Sequence, residues 1–159
     1  ALSPLKSLHW QARFVGGQDF DPAWASSLQE RVNALGLSQR VEFAGAVEDT
    51  QVEYQQADVF VLPSRFEGYG MVFAEALAAG LPVLAARSGA VPDVVPETAG
   101  LLVAPDDTQA LTEALRQILT SEALRRRLQA GARQAAATLP TWSDTATVVA
   151  RKLKEVSNS

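Results

Sequence analysis

A chain of 159 residues with net charge −4, one histidine and no cysteine excludes several classes of function. It can bury the core of one domain, but has no charge excess to hold nucleic acid and no disulfide or thiolate chemistry. His9, beside Trp10 at a strand start, is read as a surface or packing residue, so neither a Ser-His-Asp triad nor a multi-histidine metal site is expected. The 47% hydrophobic and 20% charged fractions are those of a folded soluble protein. No apolar run approaches the ~20 residues of a membrane span, and no signal peptide is visible. Cysteine-free composition is compatible with the cytoplasm. A start at Ala1 rather than methionine leads us to expect a fragment or processed product.

Residues 1–7 read as the tail of a helix whose beginning is absent. Residues 11–15, leading into Gly16-Gly17, predict a strand ending in a tight turn. Over 22–35 the apolar residues Trp24, Leu28, Val32 and Leu35 recur at helical spacing, and Gly36 ends the helix. Residues 41–44 form a short strand closed by Gly45, and a polar helix over 50–56 leads to a buried strand over 59–62. Pro63 ends that strand, because proline cannot donate to a ladder. After a short loop a helix spans about 71–79, with Gly80 as C-terminal cap and Pro82 beyond it.

Another strand follows over 82–86, then a turn and short helix at 88–93, and a last strand over 101–103. Asp106 or Asp107 caps a helix whose core face is Leu111, Leu115 and Ile118. A second helix over 122–138 uses Leu124 and Leu128. Its run Arg125-Arg126-Arg127 is read as a solvated face, with membrane-surface contact the weaker alternative. Pro140 breaks the pattern, and Thr141 with Asp144 resembles a capping box for a last helix carrying Val149, Leu153 and Val156. Strands alternating with helices at this spacing predict an α/β fold with a doubly wound, Rossmann-like parallel sheet.

The segment 63–82, P-S-R-F-E-G-Y-G-M-V-F-A-E-A-L-A-A-G-L-P, carries the chemistry. A glycine-punctuated turn feeding a helix leaves backbone N–H groups free and adds roughly +0.5 of a charge from the helix dipole. Such a terminus suits a phosphate. Glu75 lies roughly 7 Å along the axis from Gly70, at ~1.5 Å per residue, and its side chain tilts back toward the helix start. Glu67 stands before the glycines. Carboxylates on both sides of an anion site suggest a ligand with hydroxyls at both ends and phosphate between them, a nucleotide-sugar. Alone, the pair would read as a first-turn acid and a solvated loop residue. The glycines, the strand before and the helix after reverse that reading. Ligands on doubly wound sheets bind beyond the carboxyl ends of the strands, where this loop lies.

The succession R-F-V-G-G, V-E-F-A-G-A-V, A-D-V-F-V-L-P-S, F-E-G-Y-G-M-V-F-A-E-A-L-A-A-G-L-P-V, G-A-V-P-D-V-V and G-L-L-V-A-P-D-D resembles the C-terminal domain of family 4 retaining glycosyltransferases of the GT-B fold. The likeness covers nearly the whole chain, 1–159, and includes Pro140 and Trp142 before the last helix. It implies transfer of a sugar from a UDP-, GDP- or ADP-sugar with retention of configuration and no essential metal or other cofactor. Glu67 would contact the donor sugar as the catalytic residue. Gly68, Tyr69, Gly70, Met71 and Val72 would form the turn around it, the last three offering N–H groups to phosphate and sugar. Glu75 would hold the ribose hydroxyls, Val47 would lie near the base, and Gly16 would border the phosphates. The implied partners are the nucleotide-sugar and the N-terminal acceptor domain of the same protein. The implied location is the cytoplasm, or the inner face of a membrane reached peripherally through the parent protein.

Two departures from the family pattern stand out. The family's Arg/Lys pair after its first strand is absent, and Lys6, Arg13 and Arg65 do not replace it. Neutralising a departing diphosphate is a large electrostatic term, so the chain alone is expected not to turn over donor. The first strand is itself absent, and in the common order 3-2-1-4-5-6 it lies in the middle. The strands at 11–15 and 59–62 should therefore face each other unpaired, with another polypeptide, such as the N-terminal part of the same protein, between them. A non-catalytic nucleotide-sugar or protein-binding module of the same fold is the alternative. A glycoside hydrolase using both glutamates fits poorly, since hydrolysis needs no phosphate site.

Overall fold

The computed structural model describes residues 1–68, 70–139 and 142–157. Tyr69, Pro140 and Thr141, and with Thr141 the expected capping box, lie outside the described residues. After a short 3-10 turn over Ser3–Leu5, strands β1 (Ala12–Val15), β2 (Val41–Gly45), β3 (Phe60–Leu62), β4 (Val83–Ala86) and β5 (Gly100–Val103) alternate with helices. The helices are α1 (Pro22–Ala34), α2 (Thr50–Gln56), α3 (Met71–Ala78), α4 (Val91–Val94), α5 (Thr108–Thr120), α6 (Glu122–Ala136) and α7 (Trp142–Ser157). Three strands begin one residue later than the periodicity predicts, and β5 begins one earlier. At β4 the reason is chemical: Pro82 lacks an N–H, and only its carbonyl takes part, accepting from Phe60 N at 2.9 Å.

All pairings are parallel, as expected, but they fall into two sheets, β1-β2 and β3-β4-β5. Among the described residues no ladder joins β1 to β3. Set against the common doubly wound order, β2-β1 occupies the first two places and β3-β4-β5 the last three. The place between them is not filled by these strands.

β4 reads V-L-A-A and is buried at every position. Alternate side chains point to opposite faces. Val83 and Ala85 join a cluster with Phe73, Ala76, Leu77, Val91, Val95 and Ala132. Leu84 joins Leu5, Trp10, Leu37, Ala114 and Leu115 on the other face. Cover on both faces is why the strand shows an unbroken apolar run rather than alternation. Trp10 belongs to this core, its indole N–H donating to Leu5 O at 2.8 Å, whereas His9 is exposed.

Aspartates and a serine start the helices: Asp21, Asp49, Asp107 and Ser121 accept from Trp24, Gln51, Ala110 and Leu124 N–H groups respectively. Asp107, not Asp106, is therefore the α5 cap. Two apolar helix faces stay largely open, and one expectation needs correction. Trp24 is 63% exposed and no residue of α1 is fully buried, because only the later part of the apolar face, Val32 and Leu35, packs against the Leu5, Trp10 and Leu37 cluster. Val149, Leu153 and Val156 on α7 are likewise exposed. Arg125 is not part of a solvated face; its guanidinium donates to Ile118 O (2.7 Å) and Leu119 O (3.0 Å), closing the end of α5.

Candidate functional site

Gly70 is the N-cap of α3 and takes φ 66, ψ 61, with no side chain capping the helix. A Cβ at this position would lie 2.6 Å from the Phe73 ring and 2.9 Å from Glu67 Cγ. Both the left-handed backbone and the crowding demand glycine. The contact also shows that the Glu67 side chain lies against the turn. Phe73 N donates back to Gly70 O at 2.9 Å, while the Met71 and Val72 amides precede any intrahelical acceptor. An uncapped helix start with a partial positive charge thus sits beside Glu67, beyond the carboxyl end of β3.

The backbone under Glu67 is held by the connection after β4. Ser88, a buried polar residue, donates from Oγ to Ser64 O at 2.9 Å, and Ala90 N donates to Glu67 O at 3.3 Å. Between them Gly89, at φ 52, presses so closely that a Cβ would stand 1.8 Å from Glu67 O. The sequence pattern marks 88–90 as a turn. Its grip on Glu67 is a contact between distant segments that no local pattern carries.

Glu75 is exposed on α3. Its Oε2 accepts from the Tyr54 hydroxyl at 3.0 Å. Burial chiefly, then the hydrogen bond and charge of Glu75, push the Tyr54 phenol up to about 12. The Tyr54 ring rests against Phe60 of β3 (5.8 Å between centroids), which meets Phe73 of α3 edge-on at 5.7 Å. Sequence reasoning did not single out Tyr54. The available signal was the one aromatic in the mostly polar α2, just ahead of the apolar β3.

Arg65 and Arg87, the cations nearest in sequence, pair with acids elsewhere, Arg87 Nη2 donating to Glu97 at 3.3 Å. Arg65 Nε donates to Asp106 at 2.8 Å. Arg13 is held by Glu53, at 2.7 Å, and by Glu42. Its hydrogen bonds to these two glutamates, Glu53 first, raise its pKa above the ordinary value. Lys6 lies against the end of α1, its Nζ 3.6 Å from where a Gly36 Cβ would be. Gly16 and Val47 follow the carboxyl ends of β1 and β2. Gly16 N donates to Gly45 O at 2.9 Å and its Cβ position faces open space. Glu67, Gly68, Gly70, Met71, Val72 and Glu75 are thus brought together around one helix start. Among the described residues no hydrogen bond ties Gly16 or Val47 to it. None of the described residues forms a group of three or more metal-ligating His, Cys, Asp or Glu side chains, and no helix among them is long and apolar enough to cross a membrane.

The family described as Glycosyl transferases group 1 matches residues 1–121. The chain is 39% identical over 119 residues to the lipopolysaccharide core biosynthesis mannosyltransferase LpsB of Rhizobium meliloti, covering 72% of this chain and 33% of that protein. It is 37% identical over 136 residues to the D-inositol 3-phosphate glycosyltransferase of Jonesia denitrificans, covering 84% and 32%. Among solved structures, sucrose-phosphate synthase from Thermosynechococcus elongatus superposes with TM-score 0.83 at 34% identity, over 92% of this chain and 38% of that one. Anabaena Alr3699/HepE, solved in complex with UDP and glucose, shares the fold with TM-score 0.84 at 24% identity, over 91% and 40%. The chain belongs to the group 1 glycosyl transferases and has the α/β architecture of their GT-B fold. It spans about a third of the length of the relatives it matches.

Proposed function

We propose that residues 1–159 are the nucleotide-sugar-binding domain of a retaining glycosyltransferase. The single observation that carries this reading is the uncapped α3 start at Gly70 with Glu67 folded against it and Glu75 on the same helix. In the reaction the bond between the sugar anomeric carbon and the diphosphate breaks, and a bond to an acceptor hydroxyl forms on the same face. Met71 and Val72 N–H groups meet the phosphate, Gly68 and Gly70 belong to the turn before them, Glu67 faces the sugar, and Glu75 accepts from the ribose hydroxyls. Gly16 and Val47 border the phosphates and base from the ends of β1 and β2. The donor is a UDP-, GDP- or ADP-sugar, and no metal takes part. The mannosyltransferase and D-inositol 3-phosphate glycosyltransferase names of the relatives support the class, and the UDP and glucose of the Anabaena complex support the donor.

A further strand from outside these residues fills the place between β1 and β3 and brings the missing cations. The parent protein works in the cytoplasm or at the inner face of a membrane. Arg65 and Arg13, both engaged elsewhere, favour as second reading a module that binds donor without turning it over. Ligand-observed NMR with UDP and GDP separates these from a protein-interaction module, which would show no saturation transfer. Glu67→Ala should reduce transfer by the full-length protein more than it weakens nucleotide binding. Turnover of radiolabelled donor by the isolated chain would contradict the assignment of the missing cations.

A further inference from the structure

Glu75 stands on an exposed helical face, and an exposed glutamate samples several rotamers. Freezing them on binding subtracts from affinity. In this chain the carboxylate is already held, by a hydroxyl from another element. Tyr54 donates to Glu75 Oε2 at 3.0 Å, and the same hydroxyl lies 3.5 Å from Val72 O in the first turn of α3. An ionised carboxylate is acceptor-only, with about four lone-pair sites on two oxygens. One bond from Tyr54 leaves Oε1 wholly open to a ligand diol.

The phenol is itself located by packing. Its ring sits on Phe60, Phe60 on Phe73, and Phe73 is the ring that a side chain at Gly70 would strike. One row of aromatic contacts therefore connects the hydroxyl that holds Glu75 with the turn that would hold phosphate. The spacing between carboxylate and helix start, which a nucleoside diphosphate would span, is referred to one rigid set of rings.

We propose that Tyr54 is a positioning residue that presets the Glu75 carboxylate for the ribose diol of the donor. This rests on the reading of Glu75 given above, and the test keeps the two apart. UDP, GDP and ADP, each with its 2′,3′-dideoxy counterpart, are titrated calorimetrically into wild type, Tyr54→Phe, Glu75→Gln and the double variant. Tyr54→Phe retains the ring contacts and removes only the hydroxyl, so its unfolding midpoint should stay near wild type. The bound ribonucleotide should bind Tyr54→Phe roughly three- to tenfold more weakly, the scale of one exposed charge-assisted hydrogen bond. The deficit should vanish for the dideoxy form, and the double variant should be no weaker than Glu75→Gln.

Wild-type affinity in Tyr54→Phe, with a clear loss in Glu75→Gln, overturns the role of Tyr54 and leaves that of Glu75 standing. Equal losses for ribo and dideoxy nucleotides, or a lowered midpoint that accounts for the loss, make Tyr54 structural and also overturn it. Undiminished ribonucleotide binding by Glu75→Gln, or no nucleotide binding by wild type, overturns the underlying reading instead.

Discussion

The β3-β4-β5 sheet and the β1-β2 sheet are built alike, from short parallel strands crossed over by helices, yet they are buried very differently. Every residue of β4 is buried, and α3 above it buries Phe73, Ala76 and Leu77. In β1 only Ala12 is partly covered, Phe14 is 49% exposed, and no residue of α1 is fully buried. Parallel strands are stable when neighbours cover both faces and both edges. β4 has β3 and β5 at its sides, whereas β1 has β2 on one side only. The difference lies in neighbours rather than in strand-forming tendency.

The contrast can be broken or sharpened by experiment. The largest expected effect is in the finished half: Leu77→Ala should destabilise by about 2–5 kcal/mol through transfer loss and cavity. Trp24→Ala, in the open half, should change stability by about 0.5 kcal/mol or less. Urea unfolding of both variants measures this, and equal losses would mean that α1 is seated far better than its exposure indicates. Next comes Gly89→Ala, which sets a Cβ against Glu67 O. At least ~1–3 kcal/mol of strain should appear, with displacement of the 64–67 loop visible as shifted amide resonances there. A variant with wild-type stability and spectrum would remove Gly89 as the mould for Glu67.

Hydrogen exchange gives a graded test of the same difference. Amides of β4 should exchange at or near the rate of global unfolding, and those of β1 facing the unfilled place much faster. Protection of β1 equal to that of β4 in the isolated chain would contradict an open edge.

The smallest effect concerns pH. The Tyr54 phenol is raised to about 12 from an ordinary value near 10, so the folded state favours its protonated form. Its contribution to stability is therefore fully present below about pH 10 and is lost as pH rises through about 12. In Glu75→Gln the phenolate absorbance transition should move to lower pH, and an unmoved transition would deny the coupling.

Much of this organisation was legible beforehand. V-L-A-A marks a doubly covered strand, and F-E-G-Y-G-M-V ahead of an apolar helix marks the turn, because both rest on local chemistry. Trp24 shows where that stops: helical spacing defines an apolar face but not how much of it is covered, and Val32 and Leu35 meet the core while Trp24 does not. Arg125 misled for a similar reason, since a run of arginines looks solvated until the end of α5 is folded beside it. Tyr54 with Glu75, and Gly89 with Glu67, are meetings of separate segments. A single sequence holds no local trace of them.

The central claim is that the start of α3 receives the phosphate of a nucleotide while Glu75 receives its ribose. The most direct measurement follows backbone amide resonances during titration with UDP and GDP, in wild type and in Glu75→Ala. Saturable shifts at Met71 and Val72 with one of these nucleotides are predicted, with affinity reduced in the variant by roughly 1.5–3 kcal/mol for each hydrogen bond lost to the carboxylate. Unmoved Met71 and Val72 resonances, or equal affinity of the two proteins, would contradict the account.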